Sequence, residues 1–452
     1  MASSNTNGTS VAYTYDSLNR LSTVVDNRLP VGQNTTTYSY DPASNLATVT
    51  YPNGLQSSFT YDSLNRLKAM NGYTYQLEPT GNRTSATEPS GRALGWQYDG
   101  IYRLTQESIS LDPHSNNGSV AYGLDPVGNR LSQTSTVAAI TSGSFTYDAN
   151  DRLSTETYDA NGNTLVSGAR TFAYDFENRL KSMNNGAVTV VHDGDGNRVA
   201  KTVGGVTTRY LVDDLNPTGY AQAIEELVNG AVTRTYTYGR KRINQNQLIN
   251  SAWVPSFYGY DGFGSVRSLT DSTGAMTDTY FYDAWGNSFG STGSTPNVYL
   301  YRGERYDSDL QLYYLRARYF NPLSGRFLTR DPEAGHIKVP ATLHKYLYAA
   351  GDPVNRLDPG GRDYFFYQRW VQVTIAVTTV VALVGSAVYE AWECTNEALE
   401  AARRRSGNSS GPEIGEGSPK YKGACELFHI DPAEPPEVPP LGPPRVPTPP
   451  LY

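Results

Sequence analysis

Cysteine is almost missing from this 452-residue chain: only Cys394 and Cys425 occur, both near the C-terminus. Residues 1–393 therefore hold no disulfide, and the absence of any Cys-x-x-Cys pair excludes a cysteine zinc site. If the chain is exported the two thiols could pair, but sequence alone does not bring them within bridging distance. Histidine is scarce too. His114, His192, His336, His344 and His429 include no pair four residues apart, so a zincin-type helix is excluded. No cofactor and no metal are expected. Charged residues make up 18% and the net charge is -7, which leaves no basic footprint for nucleic acid. Hydrophobic residues, at 38%, fall below the ~45–50% of an ordinary globular chain. The opening MASSNTNGTS has neither the charged nor the apolar region of a signal peptide. The expectation is a fragment of a longer product, or export by a route that leaves no N-terminal mark.

What is present in excess is tyrosine, 35 residues, with 42 glycines. Tyrosine supplies the apolar area that aliphatic residues do not, and a Tyr-, Thr- and Gly-rich chain favours β-sheet. The tyrosines fall in a repeat. TYDSLNRL occurs at Tyr15 and again at Tyr61, with relatives at Tyr98, Tyr147 and Tyr174. A glycine form, such as YDANGN at Tyr158 and YDAWGN at Tyr282, runs alongside. Before each Tyr-Asp the residues alternate, as in Val11-Ala12-Tyr13-Thr14-Tyr15, which is strand periodicity. After it, Asp can bond the backbone two residues on, and Asn or Gly accepts positive φ. Arg-Leu then opens the next strand. Each copy is thus a hairpin, and successive hairpins build an antiparallel sheet that must curl. The run His192-Asp193-Gly194-Asp195-Gly196-Asn197 looks superficially like a calcium loop, but Arg198 and Gly204 occupy the places that need Gly and a carboxylate. His192 simply stands where the repeat Tyr belongs.

These repeats resemble those of the Rhs/YD-repeat family, which includes bacterial polymorphic toxins, the C components of insecticidal toxin complexes, and the teneurins. The resemblance spans roughly residues 11–362. It is most specific in YRGERYDSDLQLYYLRARYFNPLSGRFLTRDP (Tyr301–Pro332) and YLYAAGDPVNRLDPGG (Tyr346–Gly361), which look like the two ends of the Rhs-associated core. It implies an all-β fold: an antiparallel hairpin strip curling into an open or partial shell, plugged by the core. The implied domains are a YD-repeat shell over 1–300, the core over 301–362, an apolar segment plus helix over 363–406, and a linker with a Pro-rich disordered tail over 407–452.

In relatives that release a C-terminal toxin, the core is an aspartyl autoprotease that cuts just after Asp-Pro-x-Gly-hydrophobic. The matching acids here are Asp331 and Asp358, with Arg326 matching the arginine of the GRF element and the cut falling at Arg362. Two close carboxylates can divide base and acid roles. Asp-Pro pairs are also ordinary turn formers, and Arg362 replaces the family's apolar residue, where a charge would sit badly in an apolar pocket. Two outcomes stay open: a self-cleaving toxin precursor, or a purely structural plug in a delivery or cell-surface scaffold. A third is a carbohydrate- or receptor-binding surface protein, since Tyr ladders can stack on sugars. The expected location is secreted or cell-surface.

In the tail, Val371–Val388 is an apolar run at the lower length limit of a membrane span. A buried strand or helix is the alternative. Ala387–Arg405 has helical composition and ends in three arginines that suit a helix C-terminus. About 190 strand residues cover roughly 3,000 Å², a sphere of about 15 Å radius with some 10 Å free inside. A folded 90-residue tail needs about 16 Å. The shell is therefore expected to be open or partial, or to rely on a partner protein or on missing upstream repeats.

Overall fold

Each Tyr-Asp repeat closes on its own aspartate. In the first copy the Asp16 carboxylate accepts the Leu18 and Arg20 backbone N–H groups at 3.0 and 2.9 Å. Its second oxygen takes the Arg20 Nε–H at 2.7 Å. The residue before that arginine turns left-handed: Asn19 has φ 58°, Asn65 58° and Asn178 63°. In the glycine form Gly286 has φ +90°, and its N–H donates to the Asp283 carbonyl at 3.2 Å. Asp193 makes the same turn, accepting the Asp195 and Asn197 N–H groups. The sequence His192–Asn197 is a repeat turn.

The tyrosine before each aspartate sits at a break in register. Thr14 pairs with Thr23, but Tyr15 pairs with Leu21, so one residue bulges out. The same slip recurs at Tyr40, Tyr61, Tyr98, Tyr174, Tyr238 and Tyr260. Bulges bend and twist a strand pair, so a bulge at every repeat curls the strip. The phenol then reaches back one repeat. Tyr40 donates to the Leu21 carbonyl at 2.8 Å, Tyr61 to Leu46 at 3.0 Å, Tyr98 to Arg83 at 2.6 Å and Tyr260 to Arg242 at 2.9 Å.

A computed structural model describes residues 2–4, 10–337, 339–362 and 365–366, all in a compact unit comprising Met1–Val373. The first sheet has fourteen strands, β1 (Ala2–Ser4) to β14 (Gly143–Ser144), in sequence order. The second has fourteen more, β15 (Thr157–Tyr158) to β28 (Ser288–Thr292), likewise consecutive. Every pairing is to the chain neighbour and antiparallel, and neither sheet closes on itself, as the hairpin repeat predicts. Among the described residues there is no α-helix, only short 3-10 turns.

A four-stranded sheet follows: β29 (Arg305–Asp307), β30 (Leu312–Leu315), β31 (Arg318–Asn321) and β32 (Arg326–Phe327). Two short strands, β33 (Arg356–Leu357) and β34 (Phe365–Phe366), pair beyond it. The main core joins both large sheets to this unit. Trp96, Leu104 and Val120 from the first sheet pack in one cluster with Tyr258 and Leu269 from the second and with Tyr313, Phe320 and Tyr348. Aromatic rings fill the space that a leucine core would: Phe320 stacks on Tyr348 with centroids 4.1 Å apart.

The apolar run Val371–Val388, the helix over Ala387–Arg405 and the Pro-rich end lie outside the described residues. Among the described residues no helix is long and apolar enough to cross a membrane.

Candidate active site

Strand β31 is buried along its whole length, yet it begins with a cation, Arg318. Its guanidinium stacks over the Phe327 ring, 3.7 Å from the centroid. One nitrogen, Nη2, lies 2.8 Å from Asp331 Oδ2 and 3.3 Å from Asp358 Oδ2. The two sequence-predicted acids, 27 residues apart in the chain by their numbers, are thus brought to one nitrogen. Arg318 was not among the residues singled out from sequence.

The chain after Asp358 is gripped in register. Arg316 donates through Nη1 to the Pro359 carbonyl, Ala317 through its backbone N–H to the Gly360 carbonyl, and Arg318 through Nε to the Gly361 carbonyl. Arg316 is anchored by Glu304 at 3.0 Å and by the Ala221 carbonyl at 3.1 Å. Gly361 has φ +67°, and a Cβ there would press on the Leu315 carbonyl. Only glycine fits this approach without strain.

The two acids differ in surroundings. The side chain of Asp358 is 3% exposed, and its Oδ1 accepts the Arg362 backbone N–H at 3.0 Å. Burial pushes the Asp358 carboxyl up to about 7; Arg318 and the Arg362 N–H pull it down, and the nearby Asp331 charge pushes it up. Asp331 lies closer to solvent, and its Oδ1 accepts the Glu333 N–H at 3.0 Å. Burial also lowers the Arg318 guanidinium, against the opposing pull of Asp331 and Asp358.

Arg326 and Arg362 are placed differently from the two acids. Arg326 donates to Asn129 Oδ1 at 2.7 Å and to the Asp151 carbonyl, with its guanidinium over the rings of Tyr147 and Tyr346. It ties the core to the first sheet's repeats, and the guanidinium on the acids is that of Arg318. His344 shares this region, 2.9 Å from Asn129, and burial with the Arg326 charge pushes it down to about 4. Arg362 keeps its side chain 59% exposed, 3.7 Å from Glu333 Oε1. Its charge therefore stays at the surface, and no apolar pocket has to receive it.

Beside this segment a cavity of about 180 Å³ is bordered by Leu357, Pro359 and Arg316 and walled by Tyr38, Tyr61 and Tyr238. It has room for a few side chains.

A consecutive hairpin strip with a bulged tyrosine at each turn, closed against an aromatic core, defines a YD-repeat β-shell protein. The family model for the teneurin YD-shell matches residues 97–354, over half of the chain, and the RHS repeat matches residues 28–56 and 40–75. The chain belongs to this YD-shell family. It is 33% identical over 270 residues to the tRNA nuclease WapA of Bacillus subtilis, covering 55% of this chain and 11% of that protein. It is 30% identical over 131 residues to salivary gland surface protein 1 of Aedes aegypti, covering 28% of this chain and 3% of that one. The chain thus spans about a tenth or less of these relatives. Among solved structures, it resembles the TcdB2–TccC3–Cdc42 complex with a TM-score of 0.62 at 18% identity, covering 82% of this chain and 21% of that one. The Photorhabdus luminescens Tc holotoxin pore gives 0.65 at 17%, covering 81% and 21%. These likenesses establish the fold.

Proposed function

We propose that this chain is the shell-and-core part of an exported, toxin-like delivery protein, and that its core cuts its own backbone just past Asp358. The shell is the scaffold. A partner protein or further repeats would complete it, since both large sheets are open. The observation that carries the self-cleavage reading is the single guanidinium of Arg318, which holds Asp331, Asp358 and the chain that follows Asp358 together. Asp358, protonated up to about pH 7, is the proton donor. Asp331, nearer to solvent, is the base that activates water. Residues 1–300 act as shell, 301–362 as core, and 363–406 with 407–452 leave as the released fragment.

One observation favours the alternative of a structural plug: Arg318 between two carboxylates is already a satisfied buried ion triad, and such triads can serve packing alone. Intact mass of the full chain after expression decides between them. Two chains that separate only under denaturing conditions support self-cleavage; a single chain after long incubation at acid and neutral pH leaves the plug.

A further inference from the structure

The cavity of about 180 Å³ beside the core carries a surplus of positive charge. Much of its wall is apolar: Leu46 and Met70 come from the first sheet, Ile243 from the second and Leu357 from the core, along with the rings of Tyr38 and Tyr61. Into this lining come five cations, Arg240, Lys241, Arg242, Arg302 and Arg316, against one acid among the described residues, Glu304. That acid is already engaged, since it bonds Arg316 at 3.0 Å. Arg302 turns its guanidinium to main-chain carbonyls, among them those of Phe263 and Val354. Arg242 is buried, at 5% exposure, and has only neutral partners. Its Nε donates to the Tyr238 hydroxyl at 3.2 Å and its Nη1 to the Gly303 carbonyl at 3.1 Å. Tyrosine rings, those of Tyr236, Tyr258 and Tyr299, pack around it. Its charge acts on Glu304 only from beyond ion-pair distance. Among the described residues it forms no ion pair, and its Nη2 has no hydrogen-bond partner. A buried cation is costly until an anion meets it.

We infer that this cavity is a binding site for a small aromatic carboxylate, one ring bearing one acid group, whose carboxylate pairs with Arg242. The inference does not depend on self-cleavage. Size sets the ring count. A dry cavity of about 150 Å³ takes up benzene, so about 180 Å³ admits one ring with a carboxyl group and no second ring. Charge sets the acid. A carboxylate is the natural partner of a guanidinium, because its two oxygens match the planar array of N–H donors. Half-buried Arg240 and Lys241 add to the same field, with the Lys241 ammonium 4.8 Å from the Tyr260 ring centroid. The low dielectric of an apolar wall strengthens the attraction. A neutral ring would fill the space and leave Arg242 without a counter-charge. A cationic ring would be repelled. Acetate would meet the charge and leave the apolar wall wet. Both halves of the ligand are therefore needed.

The experiment is calorimetric titration of the full chain with benzoate, set against its neutral isostere benzamide and against benzylamine and acetate. Benzoate should bind once per chain with a Kd below about 1 mM. It should bind at least about 10-fold more tightly than benzamide, and benzylamine and acetate should give no measurable heat of binding. Benzoate that does not bind, or binds no better than benzamide, overturns the inference. Arg242→Met should cancel the preference for benzoate over benzamide. A Met variant that folds and keeps the preference overturns the pairing with Arg242. Where that variant does not fold, Lys241→Gln supplies the second measure, at a half-buried position. There benzoate should bind about threefold more weakly and with less salt dependence, while benzamide is unaffected. Benzoate affinity and salt dependence both unchanged by Lys241→Gln would overturn the site.

Discussion

The Glu107 carboxylate, on β11 (Leu104–Ser110) of the first sheet, accepts the backbone N–H of Ala284, in the turn after β27 (Met276–Tyr282) of the second, at 2.8 Å. Its other oxygen takes the Trp96 indole N–H at 3.3 Å. This bond joins the two sheets through a carboxyl group buried at the seam.

The first prediction follows from that seam. Burial pushes Glu107 up to about 8, the neighbouring Asp283 charge adds to this, and the Ala284 N–H, the Arg92 charge and the Trp96 indole oppose it. A carboxyl whose folded value is raised contributes stability in full below its ordinary value near 4.5 and loses it as pH rises to about 8. Wild-type stability should fall across that window, by at most about 1.4 kcal/mol per pH unit. Glu107→Gln should flatten the slope, which thermal melts at a series of pH values would reveal. An unchanged slope in the variant would remove Glu107 as its source.

The second concerns the acids on Arg318. Asp331→Asn and Asp358→Asn should each abolish the cut, because neither acid can serve as both base and donor. In the wild type the cut should slow as pH rises through about 7, where Asp358 loses its proton. Intact mass against time at several pH values checks both. A cut that persists in either variant would assign the chemistry elsewhere.

The third concerns the glycine form of the turn. Gly286 has φ +90°, and an added Cβ would stand 2.6 Å from Tyr301 Cδ1. Gly286→Ala should therefore cost more than ~1 kcal/mol. A melt indistinguishable from wild type would contradict this geometry.

The fourth concerns the phenol ladder. Tyr98 donates to the Arg83 carbonyl at 2.6 Å and accepts from Asn355 Nδ2 at 3.0 Å, so it ties the repeats to the core. Tyr98→Phe leaves both groups short of a partner and should cost about 1–3 kcal/mol. Chemical denaturation should show a lower midpoint with an unchanged slope.

The repeat was legible because its chemistry is local. An Asp that caps its own turn, an Asn or Gly that accepts positive φ, and an Arg that returns to the Asp all lie within five residues. The acids were legible only through the resemblance, since Asp-Pro pairs recur throughout the chain. Arg318 escaped notice because its partners lie 13 and 40 residues further on by number, and one of the two arginines in LYYLRARYFN carries no local mark. The available signal was a charge inside an aromatic strand, which demands a buried counter-charge. Arg326 has the same signal and a different answer, Asn129 and Asp151, and only the folded core separates the two.

Because most repeat tyrosines, among them Tyr40, Tyr61, Tyr98, Tyr147, Tyr174, Tyr238 and Tyr260, donate to a main-chain carbonyl of the preceding unit, those joints ignore which side chains that unit carries. Units can then be duplicated, lost or exchanged between genes without redesigning their neighbours, as in other arrays stabilised by nearest-neighbour contacts. In these bonds the donor belongs to the later unit and the acceptor to the earlier. Such a strip grows by whole modules with a fixed head and tail, and its two sheet ends are not equivalent surfaces.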